Sequence, residues 1–196
     1  MLRAVIFATV LASIASPVAA HKLIEPGPRE GIAKGAYSAK PDTVWNRLGE
    51  KEGKYQEIWT VDGDQLNRLI FFGGVPDGEP LLKERNKKLN PLPKFGANML
   101  LPDIPVLFER TYRAFYGSPT VDVGTMEPAR FAGHDGIRFS YRFIDVEDEV
   151  ERTGEALAFI KGKRLYVMTF EAPSLHYFER DAANYRRLAE TVTLMK

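Results

Sequence analysis

The chain has 196 residues, no cysteine, and 27 basic against 26 acidic residues. Such a balance lacks the long-range attraction on which nucleic-acid-binding and anionic-membrane-binding proteins rely, so neither partner is expected. Without cysteine there are no disulfides and no thiolate chemistry, and the length suits one domain with a sizeable core.

The first twenty residues have the pattern of a cleavable signal peptide. Arg3 precedes an apolar stretch over residues 4–14, and residues 18–20 (VAA) offer the small side chains that signal peptidase requires. The apolar stretch is shorter than the roughly 20 residues that cross a bilayer. The pattern therefore predicts export, to the periplasm or as a secreted protein, with a mature chain that begins at His21 and has no transmembrane segment. A buried N-terminal helix and an uncleaved anchor are the alternatives.

Residues 21–35 contain two prolines, three glycines and scattered charges. Such a composition is typical of a linker, because it offers too little apolar surface to fold alone. We therefore expect a Pro/Gly-rich arm over residues 21–35 and a single α+β domain over residues 36–196.

The first elements of the domain are predicted to be two paired strands. Residues 55–61 and 66–72 are both rich in β-branched, aromatic and aliphatic residues, and Asp62-Gly63 between them is a turn signal. Together they predict an antiparallel hairpin.

A long polar segment follows at residues 73–98. It contains four prolines and a basic run over residues 83–88. Loops of this length are uncommon, so the segment is expected to be either functional or mobile. The basic run is interpreted as a solvated part of the loop, and the alternative is a docking patch for an acidic partner.

The first long helix is predicted over residues 103–117. Asp103 can cap its start, Pro105 is tolerated in its first turn, and Gly117 ends it. The residues at helical spacing on its apolar side are Ile104, Leu107, Phe108, Thr111, Tyr112 and Phe115.

The rest of the chain alternates with a period of two and then returns to helical spacing. Residues 137–143 give the clearest strand, and residues 150–160 and 164–170 give two more, joined by a tight turn at residues 161–163. A helix over residues 175–191 closes the chain. The pattern predicts an α+β fold in which an antiparallel sheet of about six strands is flanked by two main helices, an α/β/α sandwich.

The order of these elements, with particular residues between them, resembles that of a known superfamily. The residues that carry the resemblance are Tyr37, Ser38, Pro41, Trp45, Gly133, Gly136 and residues 170–173 (FEAP). Over residues 36–196 the chain is similar to the Mog1/PsbP/DcrB-like superfamily of small, often exported α/β/α sandwich proteins. The resemblance implies an accessory or binding protein of a membrane-associated complex, although a fold by itself assigns no function.

The sequence contains no motif of an established catalytic site. It has no nucleophile elbow, phosphate-binding loop, dinucleotide-binding glycine pattern, zinc-protease helix or EF-hand loop. We therefore predict a non-enzymatic protein with no catalytic residue and no cofactor. Its expected partner is another envelope protein or a small ligand.

Residues 145–151 hold the densest group of charges, with five acidic side chains. Carboxylates presented by a turn can hold Ca²⁺. The preferred interpretation is a solvated turn between two strands, with Arg142 and Arg152 nearby to compensate its charge.

A copper site is the alternative function. Cleavage after Ala20 would make His21 the N-terminal residue, whose free amine and imidazole can chelate one metal ion together. A second imidazole, from His134 or His176, would complete a T-shaped copper site.

Aromatic residues give the remaining site hypothesis. Aromatic side chains are enriched at interfaces, and a groove between the sheet and the first helix is predicted beside Trp45, Tyr112 and Tyr116. Two classes of function stay open: a binding or accessory protein, and a metal- or small-ligand-dependent protein that uses His21 or such a groove.

Overall fold

The computed structural model describes residues 21–195, so the predicted signal peptide at residues 1–20 lies outside the described residues. The elements in chain order are β1 (Lys22–Ile24), β2 (Arg29–Gly31), α1 (Ile32–Gly35), β3 (Tyr37–Ala39), β4 (Trp45–Arg47), β5 (Gln56–Thr60), β6 (Arg68–Pro76), α2 (Asp103–Tyr116), β7 (Val121–Phe131), β8 (His134–Ile144), β9 (Glu151–Lys161), β10 (Arg164–Pro173), α3 (Tyr177–Thr191) and β11 (Thr193–Leu194). Within this part of the chain, no helix is both long and apolar enough to cross a membrane.

Eight strands form one antiparallel sheet in the order β1-β4-β5-β6-β10-β9-β8-β7. The predicted α+β sandwich is confirmed, and the sheet has eight strands where about six were expected. The main omission is β7, because Gly124 and Pro128 interrupt its pattern and its middle is exposed on both faces. β2, β3 and β11 form a small second sheet.

The period of two along each central strand sends alternate side chains to opposite faces of the sheet. In β10, Leu165 and Val167 pack on the face covered by α2, whereas Met168 and Phe170 pack on the face covered by α3. Each face therefore has its own core, and the sheet separates the α2-side core from the α3-side core.

The first long helix forms where its sequence pattern predicts it. Asp103 begins α2, and its Oδ2 accepts a hydrogen bond from the Leu100 N–H at 2.8 Å. Gly117 ends the helix with a φ of 62°, a left-handed conformation that costs glycine little. Phe108 stacks on Tyr112 with ring centroids 4.2 Å apart, so the helix lays aromatic side chains over the sheet.

Residues 21–35 are not the free linker arm that their composition predicted. β1 pairs with β4 in the main sheet, and Ile24 and Ile32 are buried in the α3-side core. The buried Glu57 carboxylate accepts a hydrogen bond from the Ala33 N–H at 3.0 Å. The prediction was wrong because residues far along the chain supply the buried surface and hydrogen bonds that offset the entropy of ordering this segment.

Residues 73–98 are packed against the domain over much of their length. β6 continues through Pro76, and Pro80 pairs with Lys94 in an isolated antiparallel bridge. Four apolar side chains of the segment are buried in the α2-side core: Leu81, Leu82, Leu92 and Phe95. These anchors hold both flanks of the basic run against the rest of the molecule.

The two ends of the main sheet differ in their connections. At one end, the turn end, residues 132–133 and 162–163 close the β7–β8 and β9–β10 hairpins as two-residue turns with positive φ. At the other end, the loop end, residues 61–67 and 145–150 form longer connections. The side chains of the candidate site lie at the loop end.

Candidate functional site

A row of four residues crosses the sheet near the loop end. Backbone pairing places Arg68 of β6 opposite Glu171 of β10. Glu171 also lies opposite Gly154 of β9, which in turn lies opposite Tyr141 of β8. By the alternation of their strands these positions face α2. The pairing therefore brings an arginine, a carboxyl group and a tyrosine hydroxyl onto one face.

Gly154 makes this row possible because it leaves room for a neighbouring ring. A side chain at this position would put its Cβ 2.1 Å from Cζ of Tyr141, far inside van der Waals contact. Without one, the ring of Tyr141 lies against β9, and its hydroxyl reaches the carboxyl of Glu171 on the next strand.

The Glu171 carboxyl is fully buried and sits in a chain of hydroxyl groups. Tyr112 and Tyr141 each place a hydroxyl 2.8 Å from its Oε2 atom. Tyr141 also lies 2.8 Å from the Thr169 hydroxyl, which donates to the Glu155 carbonyl at 3.0 Å. The hydroxyl groups of Tyr112, Tyr141 and Thr169 supply three protons for these four hydrogen bonds. A protonated Glu171 supplies the fourth proton. The geometry therefore favours the neutral carboxyl.

Burial acts in the same direction as this proton count. Desolvation raises the pKa of Glu171 above its ordinary value of 4.5, and the positive charge of Arg68 offsets part of that rise. Desolvation also raises the pKa of Tyr112 and of Tyr141 well above 10.0. Both tyrosine hydroxyls therefore stay protonated at neutral pH, and the raised pKa of Glu171 favours the protonated carboxyl.

Arg68 connects the buried network to the solvent side. Its Nη1 donates to the Tyr116 hydroxyl at 2.9 Å, and its Nη2 donates to Glu52 Oε2 at 2.5 Å. Asp64 lies 3.1 Å from Nε, whereas Glu171 Oε1 is 3.6 Å from Nη1, beyond hydrogen-bonding distance. Desolvation lowers the pKa of Arg68, but these neighbours more than offset it and hold the pKa well above the ordinary value.

A cavity of about 300 Å³ lies over Arg68, and we call it the Arg68 cavity. It is lined by Glu52, Asp64, Gln65, Arg68, Arg85, Tyr116, Phe143, Asp145, Glu147, Asp148 and Arg152. The volume is at the lower end of the range for small-ligand sites, roughly 300–1,000 Å³. Because the lining comes from several separate segments, the cavity exists only in the folded chain.

Hydrogen bonds and ion pairs hold the rim of the cavity. Arg152 is buried, forms an ion pair with Asp148 and donates to the Gln65 carbonyl at 2.8 Å. This arginine therefore ties the β8–β9 connection to the β5–β6 connection, so that the two loops form one wall of the cavity.

The acidic turn and the basic run meet at this rim. Both were interpreted as solvated segments, and the ion pair that joins them is largely exposed. Arg85 Nη1 lies 3.2 Å from Glu147 Oε1, with 61% and 71% of the two side chains accessible. The guanidinium of Arg85 also lies 4.5 Å from the centre of the Phe115 ring. Exposed pairs contribute little to stability, so the consequence of this contact is the arrangement of charge at the mouth of the cavity.

The predicted groove beside Trp45, Tyr112 and Tyr116 does not exist as one surface. Trp45 is fully buried and packs near Trp59 in the α3-side core. Tyr112 and Tyr116 belong to the α2-side core, on the other face of the sheet. The hypothesis was wrong because aromatic content does not reveal which face a residue occupies. Of the three residues, Tyr116 alone lines the Arg68 cavity.

The structure does not bring the three histidines together. His21 precedes β1, the first strand in the sheet order, and His134 begins β8, the seventh. Six strand spacings of roughly 4.8 Å separate these strands, about 29 Å in all. His176 follows β10, the fifth strand, at the loop end, whereas His134 lies at the turn end, 3.3 Å from Lys161 Nζ. The copper site that combines His21 with His134 is not formed, and residues 21–195 hold no cluster of three or more His, Cys, Asp or Glu arranged for a metal.

Sequence reasoning missed the two charged residues at the centre of the site, Arg68 and Glu171. A signal was present, because Arg68 continues the alternation of Ile70 and Phe72, which are buried toward α2. Charged residues are rarely buried without a partner. A charged residue at a buried strand position therefore indicates that an oppositely charged residue lies nearby in the fold. The sequence does not reveal the register that sets these two residues opposite each other.

Comparison with solved structures finds matches that include chains from three organisms. The solution structure of cyanobacterial PsbP (CyanoP) from Synechocystis sp. PCC 6803 has a TM-score of 0.55 and 14% identity, over 95% of this chain and 98% of that chain. A crystal structure from Bacteroides thetaiotaomicron VPI-5482 has a TM-score of 0.49 and 9% identity, over 88% and 50%. The crystal structure of LpqN, involved in cell envelope biogenesis of Mycobacterium tuberculosis, has a TM-score of 0.31 and 9% identity, over 93% and 88%.

The chain has the PsbP/Mog1/DcrB-like fold, as the sequence resemblance implied, and the match to CyanoP carries that conclusion. At 14% identity this likeness shows the fold alone. No protein-family model matches the sequence, and no curated protein matches it significantly.

Proposed function

We propose that the protein is an exported, non-enzymatic accessory protein that binds a partner of the cell envelope at the Arg68 cavity. The observation that carries the proposal is the cavity itself. It is charged, it is concave, and it stands over a buried, hydrogen-bonded floor. Convergent polar groups in a concave site are the ordinary mark of a binding surface.

The floor suits binding because its groups are fixed before a partner arrives. Arg68 is held by the hydroxyl of Tyr116 and the carboxylate of Glu52. Behind it, Tyr141 is fitted against Gly154. Groups that are already ordered lose little conformational freedom on association, and fixed charges discriminate between partners.

The same groups are poorly placed for proton transfer with a substrate. Glu171 is fully buried and is absent from the lining of the cavity. Desolvation raises the pKa of Tyr116 well above 10.0, far from the near-neutral value that suits a general acid or base. The guanidinium of Arg68 keeps its proton. These features support binding over catalysis.

The export part of the proposal rests on the signal-peptide pattern of residues 1–20. N-terminal sequencing of the protein recovered from the periplasmic or secreted fraction is expected to begin at His21. Recovery of chains that still begin at Met1 contradicts this part of the proposal.

Affinity capture from an envelope extract of the source cells tests the binding part. The baits are the wild-type mature protein, Asp145→Lys, which changes the cavity lining, and Asp135→Lys. Asp135 is the matched control because it lies at the turn end with 90% of its side chain accessible. We expect one partner, identified by mass spectrometry, to be retained by the wild type and by Asp135→Lys and lost with Asp145→Lys. Equal retention by all three baits, or no retained partner, contradicts the proposal.

A further inference from the structure

We infer that the Arg68 cavity receives a single cationic side chain, lysine or arginine, from a partner protein. This inference rests on the proposed function and adds the chemistry of the group that enters the cavity.

The lining of the cavity has a surplus of negative charge. Three guanidinium groups and five carboxylates line it, which gives a formal charge of −2. The ion pairs among them are Arg68 with Glu52 and Asp64, Arg85 with Glu147, and Arg152 with Asp148. Every arginine is thus already paired, whereas Asp145 has no ion-pair partner anywhere in residues 21–195. A cation from a partner would give Asp145 an ion-pair partner and reduce the surplus of negative charge, whereas an added anion would increase that surplus.

Two aromatic residues form part of the cavity wall, and both are largely buried, so that a small part of each ring is accessible. Tyr116 and Phe143 both line the cavity, with ring centroids 5.1 Å apart. A cation within about 6 Å of a ring centre is attracted by its quadrupole, and the apolar stems of lysine and arginine pack well on such rings. The chain already makes this contact at the mouth of the cavity, between Arg85 and Phe115.

An exposed apolar residue on the rim favours a protein partner over a small amine. Val146 stands between the lining residues Asp145 and Glu147, and 51% of it is exposed. A protein can cover Val146 while one of its basic side chains fills the cavity, whereas a free polyamine leaves it in water. Interfaces combine a desolvated anchor, often arginine, with apolar contacts around it.

An NMR titration of the ¹⁵N-labelled mature protein tests the chemistry of the ligand. The probe is Nα-acetyl-arginine amide, and Nα-acetyl-glutamate amide is its anionic counterpart. We expect the arginine probe to shift the amide signals of Tyr116, Phe143 and Asp145, and the glutamate probe to leave them unchanged. Its affinity is expected to fall about tenfold or more in Asp145→Asn, through loss of a charged contact, and to be unchanged in Asp135→Asn. No shifts at these residues, or shifts with the glutamate probe, overturn the inference.

Spermidine distinguishes a free polyamine from a protein side chain. If spermidine binds at the cavity more than about tenfold tighter than the arginine probe, a small amine is the better ligand and the inference is overturned. Weaker or comparable binding of spermidine supports a side chain presented by a protein.

Elution of the captured partner separates this inference from the proposed function. The partner held by the wild-type bait is expected to be released by the arginine probe and to resist sodium chloride of equal ionic strength. If capture depends on Asp145 but the arginine probe neither binds nor releases the partner, the proposed function stands and the inference fails. If no partner depends on Asp145, the proposed function itself fails.

Discussion

The two ends of the main sheet are built from the same strands, yet an arginine and a carboxyl group meet in opposite surroundings at each. At the turn end, Arg130 and Asp135 lie 3.6 Å apart with 73% and 90% of their side chains accessible. At the loop end, Arg68 and Glu171 lie at the same distance with 8% and 0% accessible. Both pairs join a guanidinium to a carboxyl group at the same separation, so the main difference between them is their surroundings.

Those surroundings decide what the pair can do. At the turn end, water screens both charges, because both side chains are largely exposed. At the loop end, α2 covers the pair with tyrosines, and longer connections raise walls around the exposed side of Arg68. A buried charge needs its partners to remain buried, so the same pair becomes a fixed structural element under a cavity.

We expect the largest difference between the two ends of the sheet when the arginine of each pair is removed. Arg68→Met leaves Glu52 and the buried Tyr116 without their donor and removes the positive charge beside the buried Glu171. We expect a loss of about 3 kcal/mol in the free energy of unfolding. Arg130→Met, the matched change at the turn end, is expected to stay within about 0.5 kcal/mol of the wild type. Urea denaturation followed by circular dichroism measures both. Similar losses for the two variants would show that burial does not distinguish the pairs.

A glycine substitution sharpens the comparison by testing the fit of the buried row. In Gly154→Ala the new methyl group collides with the ring of Tyr141, and overpacking of this kind costs about 1–3 kcal/mol. Gly96→Ala is the control, because its Cβ would meet only Met99, at 3.8 Å, an ordinary contact. We expect little change or a slight gain in stability from the control. Equal stability of the two variants in urea denaturation contradicts the account of Gly154.

The protonation of Glu171 gives the smallest expected effect, and it is a dependence on pH. Because burial raises its pKa in the folded state above 4.5, the folded protein binds this proton more tightly than the unfolded chain. Its stabilising contribution is present below about pH 4.5 and is lost as the pH rises through the raised pKa. The stability of the wild type relative to Glu171→Gln is therefore expected to fall as the pH rises from 4.5.

Denaturation midpoints at a series of pH values measure this difference. Glu127→Gln is the control, because Glu127 lies on the edge strand β7 with 60% of its side chain accessible, and its difference from the wild type is expected to change less over the same range. A constant difference between the wild type and Glu171→Gln would mean that Glu171 is ionised in the folded protein.

Local patterns predicted most of the fold, and long-range pairing accounts for what they missed. The spacing of apolar residues located α2, and the alternation from residue 137 onward located β8, β9 and β10. β7 was not predicted because its middle is exposed on both faces, so its sequence shows no alternation of apolar and polar residues. The packing of residues 21–35 was not predicted because the partners that bury Ile24 and Ile32 lie far along the chain.

The candidate site was less accessible to sequence reasoning than the fold. Tyr116 was nominated and does line the cavity, but Trp45 lies on the opposite face of the sheet. Arg68 and Glu171 are 103 positions apart and meet through the register of β6 and β10. Register depends on the pairing of whole strands, so a single sequence does not reveal which buried charges become partners.

Site-specific photo-crosslinking in the source cells tests the central claim most directly, since it asks which end of the sheet touches a partner. A benzophenone amino acid replaces Val146 on the rim of the Arg68 cavity or Lys163 in the turn end, both exposed positions. We expect a discrete crosslinked protein from position 146, absent when Asp145→Lys is present in the same chain, and no adduct from position 163. An adduct from position 163 alone, or equal adducts from both positions, would contradict the claim that the loop end is the binding surface.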